Sequence, residues 1–486
     1  MLTRDIHKRI PEPHGPSITP SHPSGPAALL VARLEQLPAS RPLWTLIILL
    51  SLCGFFEIYE IALTSTLGPA LVRAALFNAD AKGLFGLTDQ ASFAAATFLG
   101  LFLGTSSVSA VADRFGRKPT LIGSLVWYVL ATAVMAMQNT AVNIDIWRLI
   151  AGVGVGVQLV TIDSYIAELV PRKFRGRAFA INYGLMYLAV PVAALLSWQL
   201  LPRTLFGIPG WRYVALFPLT AAVVIWRVHR ALPESPRWLI QKNRLPEAER
   251  VVSEIESRVA SESGVRPPAP TLAADPNTVD SQRGASSLHE LFCPPYMKRT
   301  IMLVVLNVFQ AMGFYGFTNW VPTLLVSQGI DFVKSLEYSS IIAIVYPATP
   351  FLCALLADRI ERKSQIIVGA IGTAIFGLLF SQQSIPATLM LFGCLVTISN
   401  TMLSYSYHAY QTELYPTRVR ARAVGFVYSF SRLATILSGF AIAIALRDFG
   451  SAGVFIFIAS CMAIVVVAVG ALGPRTTGLA LEATSH

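Results

Sequence analysis

The sequence predicts an all-α membrane protein of twelve transmembrane helices in two six-helix halves. Three observations lead there. Hydrophobic residues make up 54% of the 486 residues and charged residues only 13%, against about 25% charged in ordinary soluble domains, and mean hydropathy is +0.58. Apolar runs of about 20 residues recur, each long enough to cross about 30 Å of hydrocarbon. Basic residues gather in alternate connections, so the charge pattern supports the count of spans independently of hydropathy.

Taken in order, residues 1–43 are polar and proline-rich (PEPHGPSITPSHPSGP, residues 11–26) and lack the basic-then-apolar order of a signal peptide. They read as a mostly disordered cytoplasmic tail with a short interfacial helix over 27–37. The first half, 44–230, carries apolar spans at 44–66, 90–111, 119–138, 144–168, 178–200 and 211–230. The linker, 231–299, opens with PESPRWLI, continues with the charged helical stretch EAERVVSEIESRV (247–259) and passes through a Pro/Ala/Asp/Ser-rich piece at 267–287. The second half, 300–472, carries spans at 300–326, 337–356, 364–382, 387–412, 421–446 and 450–472, and residues 473–486 form a second cytoplasmic tail.

Arg114, Arg117 and Lys118 follow span two; Arg172, Lys173, Arg175 and Arg177 follow span four. Arg359, Arg362 and Lys363 follow span eight; Arg418, Arg420 and Arg422 follow span ten. The opposite loops hold only Arg73, Lys82, Arg203, Arg212, Lys334 and Arg447. This places both termini and the even-numbered loops in the cytoplasm. The formal charge of +11 is thus accounted for by topology and not by a nucleic-acid surface. The cysteines, Cys53, Cys293, Cys353, Cys394 and Cys461, are odd in number and show no ligand spacing, so neither a disulfide frame nor a metal site is expected. No nucleophile–base pair or cofactor motif stands out, and an enzyme is poorly supported. The expected partners are a small molecule and the bilayer.

The halves echo each other. ADRFGRK at 112–118 matches ADRIERK at 357–363, and YIAELVPRKFRG at 165–176 matches YQTELYPTRVRA at 410–421. In the second motif Glu168, Pro171 and Arg175 share their spacing with Glu413, Pro416 and Arg420. Matched motifs at matched positions mark an internal duplication.

These residues resemble the major facilitator superfamily, and within it the sugar-porter-like metabolite transporters, over essentially all of 44–472. DRFGRK after span two carries the likeness, with Arg148-x3-Gly152-x-Gly154-x-Gly156 running to Glu168, Pro171, Arg175 and Gly176, PESPRWL at 233–239, and the ELYPTxxR ending of span ten. Ser109 stands where the family has a glycine, and Glu361 stands where Gly116 stands in the first half, so the first-half gate is expected to be the better formed. The resemblance implies gating at the cytoplasmic side by Asp113, Arg114, Gly116 and Arg117, with Asp358, Arg359 and Arg362 in the second half. Asp113 would meet a helix N-terminus and arginines. Glu168 with Arg175, Glu413 with Arg420, and Glu234 resemble the family's charge network, made and broken as the halves rock; solvated loops and unswitched ion pairs are the plainer alternative. The resemblance also implies a monomer in the plasma membrane, or the inner membrane of a bacterium.

Ionisable residues inside spans are the strongest functional clues, because burying charge in lipid is expensive. Glu57 and Glu60 lie three apart on one face of span one. Tyr59-Glu60 falls on the Tyr-Asp position that proton-coupled sugar porters use, and Arg148 on the arginine that partners it. Glu60 is the expected proton site, with Glu57 the alternative and a permanent Glu–Arg packing pair the other reading. Asp163 replaces a proline of the sugar-porter pattern and is a further relay or cation contact, or a hydrogen-bonded packing residue.

The sugar reading weakens at the substrate positions. Span seven has Phe309-Gln310 where sugar porters have a Gln pair, and Tyr315 where they have Asn; span five has Tyr183 and Val190 for glutamines, and His408 stands at the span-ten tryptophan. A site reading many hydroxyls needs many amides. What remains is aromatic and cationic: Gln310, Tyr315, Asn319 and Trp320 near the expected cavity, and Arg432 in span eleven. A lone arginine in an apolar span needs an anion or a carboxylate partner; organic-anion facilitators place an arginine in that helix to meet a substrate carboxylate, and a structural pair with an intramembrane acid or backbone carbonyls is the other reading. The expectation is proton-coupled uptake of a small organic acid, aromatic or sugar acid, by alternating access. The alternatives are a sugar or polyol symporter, a proton-driven exporter and a non-transporting sensor on the same fold.

Overall fold

A computed structural model describes residues 26–78, 83, 85–86, 88–263, 288–294, 296–356, 360–415 and 417–474. Most of the amino-terminal tail, most of the carboxy-terminal tail, the Pro/Ala-rich linker piece, Asp358 and Arg359 lie outside the described residues.

A short helix stands where one was expected over 27–37, α1 (Pro26–Glu35), followed by four unbroken spans, α2 (Arg41–Arg73), α3 (Asp89–Phe115), α4 (Arg117–Met135) and α5 (Ala141–Leu169). Span five is α6 (Arg172–Tyr187) and α7 (Ala189–Leu200). Span six is α8 (Gly210–Leu216), a 3₁₀ turn (Phe217–Thr220) and α9 (Ala221–Ala231). The linker contributes α10 (Pro236–Gln241) and α11 (Leu245–Ser263). Span seven is α12 (Met297–Thr318) with α13 (Val321–Ser327), and span eight is α14 (Phe332–Ala343) with α15 (Val345–Leu356). The chain closes with α16 (Arg362–Ser381), α17 (Pro386–Glu413) and α18 (Thr417–Leu472).

Ten helical stretches among the described residues are long and apolar enough to cross a membrane. The last of these is broken at Gly450, whose φ of 67° makes it two spans, and the 27-residue α3 adds another, giving the twelve expected from the sequence. Among the described residues the one departure from helix and loop is a small hairpin, Thr204–Leu205 with Ile208–Pro209. Phe206 and Gly207 both take positive φ there, the geometry of a tight two-residue hairpin turn.

Three spans break where proline dictates. A proline has no N–H and its ring crowds the carbonyl four residues back. Pro191, Pro322 and Pro347 lie four residues after Tyr187, Thr318 and Ala343, the last residues of α6, α12 and α14.

Within the first half, α3 and α5 approach until backbones touch. A Cβ added at Gly104 would meet the Val153 carbonyl at 2.2 Å, and one at Gly156 the Leu101 carbonyl at 2.3 Å. The span-four glycines therefore serve close packing. Apolar cores fill each half: Leu125, Ile162 and Tyr165 in the first, and Leu306, Phe317, Phe380 and Phe455 in the second. The halves meet along α3 with α18, α6 with α15, and α7 with α14.

Candidate functional site

The arginine-rich loops gather at one end of the molecule. There Gly116 joins α3 to α4 in a single residue with φ of 101°, a conformation that side chains resist. A Cβ at this point would also meet Glu234 Oε2 at 2.4 Å. Glu234 caps α4, accepting the N–H groups of Arg117 at 2.9 Å and Lys118 at 3.3 Å. Burial pushes its carboxyl up, and the backbone donors hold it down.

That corrects one expectation: the acid at the helix N-terminus is Glu234, not Asp113. Asp113 is 63% exposed and accepts only a side-chain hydrogen bond from Arg117 at 2.9 Å, because the one-residue turn leaves it on the outer face of α3. Arg114 is exposed beside Phe115. Arg117 is the hub, bonded to Asp113, to Glu168 at 2.9 Å and to the Ala112 carbonyl at 2.9 Å. Glu168 also accepts the Ser235 hydroxyl.

The expected Glu168–Arg175 pair does not form. Arg175 folds back onto the Val170 carbonyl at 3.0 Å and reaches Glu35 at 3.5 Å, since the helix turns at Pro171 between the two. In the second half Glu413 meets Arg362 at 3.6 Å, the counterpart of Glu168 with Arg117; the side chain of Arg420 lies outside the described residues. The ion pairs of Glu168 with Arg117 and of Glu413 with Arg362 each lie within one half.

Deeper in, Arg148 and Glu60 form a buried pair at 2.6 Å, each about 1% exposed. Arg148 also bonds Thr97 at 2.9 Å, Thr64 at 3.0 Å and the Glu60 carbonyl, and lies over the Phe93 ring. Glu57, one turn earlier on the same helix, is fully buried and takes a different surrounding. Neither of its oxygens has a hydrogen-bond partner among the described residues, and the charges acting on it are Asp163 and Arg432. Asp163 accepts the Tyr183 hydroxyl at 3.0 Å.

Arg432 lies in the second half and is held there by tyrosines. It bonds the Tyr428 hydroxyl at 2.6 Å and the Tyr315 hydroxyl at 3.4 Å, with the Tyr428 ring beneath it. Its Nε has no partner, and no carboxylate among the described residues comes within ion-pair distance. The His408 ring lies tilted against that of Tyr407, their centroids 4.1 Å apart. Its Nδ1–H donates to the Ser404 carbonyl at 2.7 Å, leaving Nε2 to the Tyr407 hydroxyl at 3.2 Å, so both nitrogens are already engaged.

A cavity of about 100 Å³ opens beside this cluster, between the halves. Tyr315 and Asn319 line it as expected, with Tyr187, Tyr346, Thr318 and Ser65. Its wall includes Tyr187, Thr318 and Ala343, the ends of the three proline-broken helices. Irregular backbone at membrane depth is tolerated where it lines such a space. Trp320 is corrected: it is buried in the second-half core, because the turn into α13 points it away from the cavity. Gln310 is buried in α12 and is not part of the cavity wall.

Sequence reasoning missed Tyr187, Tyr346, Tyr407 and Tyr428. A signal existed in α6: Phe179, Tyr183 and Tyr187 are spaced by four, and their rings continue to Tyr346 at 6.1 Å across the interface.

At the opposite end the halves are sealed. Gln90 Nε2 donates to Thr323 Oγ1 at 2.6 Å, Arg73 lies over the Phe332 ring at 5.1 Å, and Phe98 meets Tyr315 at 4.9 Å.

A family model described as sugar (and other) transporter matches residues 46–486. YyaJ of Bacillus subtilis is 29% identical over 456 residues, covering 94% of this chain and 97% of that protein. The niacin transporter NiaP of Acinetobacter baylyi is 28% identical over 456 residues, covering 93% of this chain and 99% of that protein. Among solved structures, a partially occluded inward-open form of the xylose transporter XylE from E. coli superposes with a TM-score of 0.72. It is 18% identical and covers 91% of this chain and all of that one, a likeness of fold.

Proposed function

The chain belongs to the sugar (and other) transporter family, a multi-pass membrane transporter of the major facilitator fold, and from there we propose that it takes up a small, planar organic acid together with a proton. Arg432 carries the reading. A buried guanidinium with a free Nε, with no carboxylate within ion-pair distance among the described residues, is suited to take an external anion. Tyrosine rings around it offer flat apolar faces and hydroxyl donors, and the likeness to a niacin transporter favours an aromatic monocarboxylate.

In this reading the arginine-rich end faces the cytoplasm and the sealed end faces outward, so the cavity is closed to the outside. Rocking of the halves would part Gln90 from Thr323 and bring the two arginine-end networks together. The acids of span one supply proton coupling, Glu60 beside Arg148 and Glu57 beside Asp163.

The test is thermal stability of the purified protein against carboxylates, sugars and organic cations. A ligand that binds only the folded state adds about 2.7 kcal/mol at a hundred times its dissociation constant. Stabilisation by aromatic carboxylates, lost in Arg432→Ala, is expected. Stabilisation by sugars alone would overturn the proposal and favour the cavity hydroxyls and Asn319 as a polyol site.

A further inference from the structure

We propose that Glu57 and Asp163 form a second proton site, separate from Glu60–Arg148, in which Glu57 stays protonated and Asp163 gains a proton as a carboxylate takes Arg432. The second clause rests on the anion reading of Arg432; the first needs only the charge of Arg432, not its binding of a substrate.

Glu57 has no exposed surface and no hydrogen-bond donor on either oxygen among the described residues. The titratable groups facing it are Cys53 on its own helix, Tyr128 from α4, Asp163 from α5, Tyr187 from α6, and Tyr428 and Arg432 from α18. Of these only Asp163 and Arg432 bring a full charge. Two carboxylates against one guanidinium would leave a net negative charge in an apolar interior, which is strongly disfavoured. One proton restores neutrality. It belongs on Glu57, because Asp163 already receives the Tyr183 hydroxyl at 3.0 Å, a donor that favours its anionic form.

The resting site is then neutral: Glu57–COOH, Asp163 carboxylate and Arg432 guanidinium. When a substrate carboxylate binds Arg432, Asp163 loses its counter-charge and the site again carries one excess negative charge. A single proton taken up by Asp163 balances it, so one proton enters with each monocarboxylate. A cationic substrate held by Glu57 is disfavoured by burial: Glu57 has no exposed surface to offer a bulky group, whereas a proton needs none.

The experiment is infrared spectroscopy of the full chain in lipid nanodiscs, reading the carbonyl stretch of protonated carboxyls near neutral pH without any ligand. A component lost in Glu57→Gln and kept in Glu60→Gln is expected. Asp145, also buried with unpartnered oxygens, is assigned separately with Asp145→Asn. In Arg432→Gln a new component should appear, absent when Asp163→Asn is added, because Asp163 no longer has a counter-charge. A Glu57→Gln spectrum equal to the parent's would overturn the proposal, as would an Arg432→Gln spectrum without the new component. The second variant decides the question if the first does not fold. Since no ligand is used, a carboxylate panel that fails refutes the transport reading without touching this result.

Discussion

Arg148 shows how much one buried side chain constrains its surroundings. Its guanidinium is saturated by Glu60, Thr64 and Thr97 from two neighbouring helices. Arg148→Ala leaves Glu60 as an uncompensated buried carboxylate, a change that costs about 3–5 kcal/mol. The expected result is a large fall in the unfolding midpoint of the detergent-solubilised protein, partly recovered by adding Glu60→Gln. No recovery would mean that packing, and not charge, holds the pair. Arg432 is expected to behave in the opposite way, since in the proposed reading the ligand supplies the carboxylate that bonds it. A charge-assisted hydrogen bond contributes about 1.5–3 kcal/mol, so Arg432→Ala should weaken carboxylate binding at least about tenfold, while binding of an uncharged aromatic amide changes little. Titration calorimetry with both probes reads the difference.

At the scale of elements, the α3–α5 contact gives a sharp expectation. Gly156→Ala sets a Cβ 2.3 Å from the Leu101 carbonyl, where backbone and not a flexible side chain must move. Overpacking of this kind costs about 1–3 kcal/mol, and monodisperse yield on size-exclusion chromatography should fall. Gly123→Ala, where nothing lies within 4 Å, should be neutral. The elements were also where the sequence was most legible. Hydropathy placed twelve spans within a few residues of their helices, and the i−4 rule for Pro191, Pro322 and Pro347 accounts for the breaks. The buried Glu60–Arg148 pair was legible through the family resemblance, which set Glu60 on the acid's position and Arg148 on that of its partner. The partners at the arginine end were not. Glu168 chooses Arg117 over Arg175, and Glu234 displaces Asp113 from the helix end, because spatial neighbours from distant segments outcompete sequence neighbours. The tyrosines stayed hidden for a related reason: an aromatic in an apolar span reads as packing until the facing half is in place.

Among the described residues, contacts between the halves close the molecule at one end, and the ion pairs of Glu168 and Glu413 at the other each lie within their own half. Replacing Gln90 and Thr323 by cysteines should allow a cross-link that holds the sealed end shut. Accumulation in vesicles is expected to stop on oxidation and return on reduction. Transport unaffected by the cross-link would show that this seam does not open in the cycle. At the arginine end, the linker is bound to the first half at several points. Trp238 Nε1 donates to the Asp113 carbonyl at 3.0 Å, and Arg33 of α1 forms a pair with Glu256 of α11 at 2.5 Å. Glu35 bridges Arg175 and Arg237, and Leu30 packs with Trp238 and Val252.

That last arrangement bears on biosynthesis. Helix α1 is made before any span, yet its partners on α11 follow more than two hundred residues later. Until the linker has left the ribosome, the apolar side of α1 stays uncovered and the first half is unfinished, even with all six of its spans inserted. A split gene that ends the first fragment at residue 230 would therefore yield a less stable piece than one ending at residue 263. Two fragments divided after the linker should reassemble better when co-expressed than two divided before it.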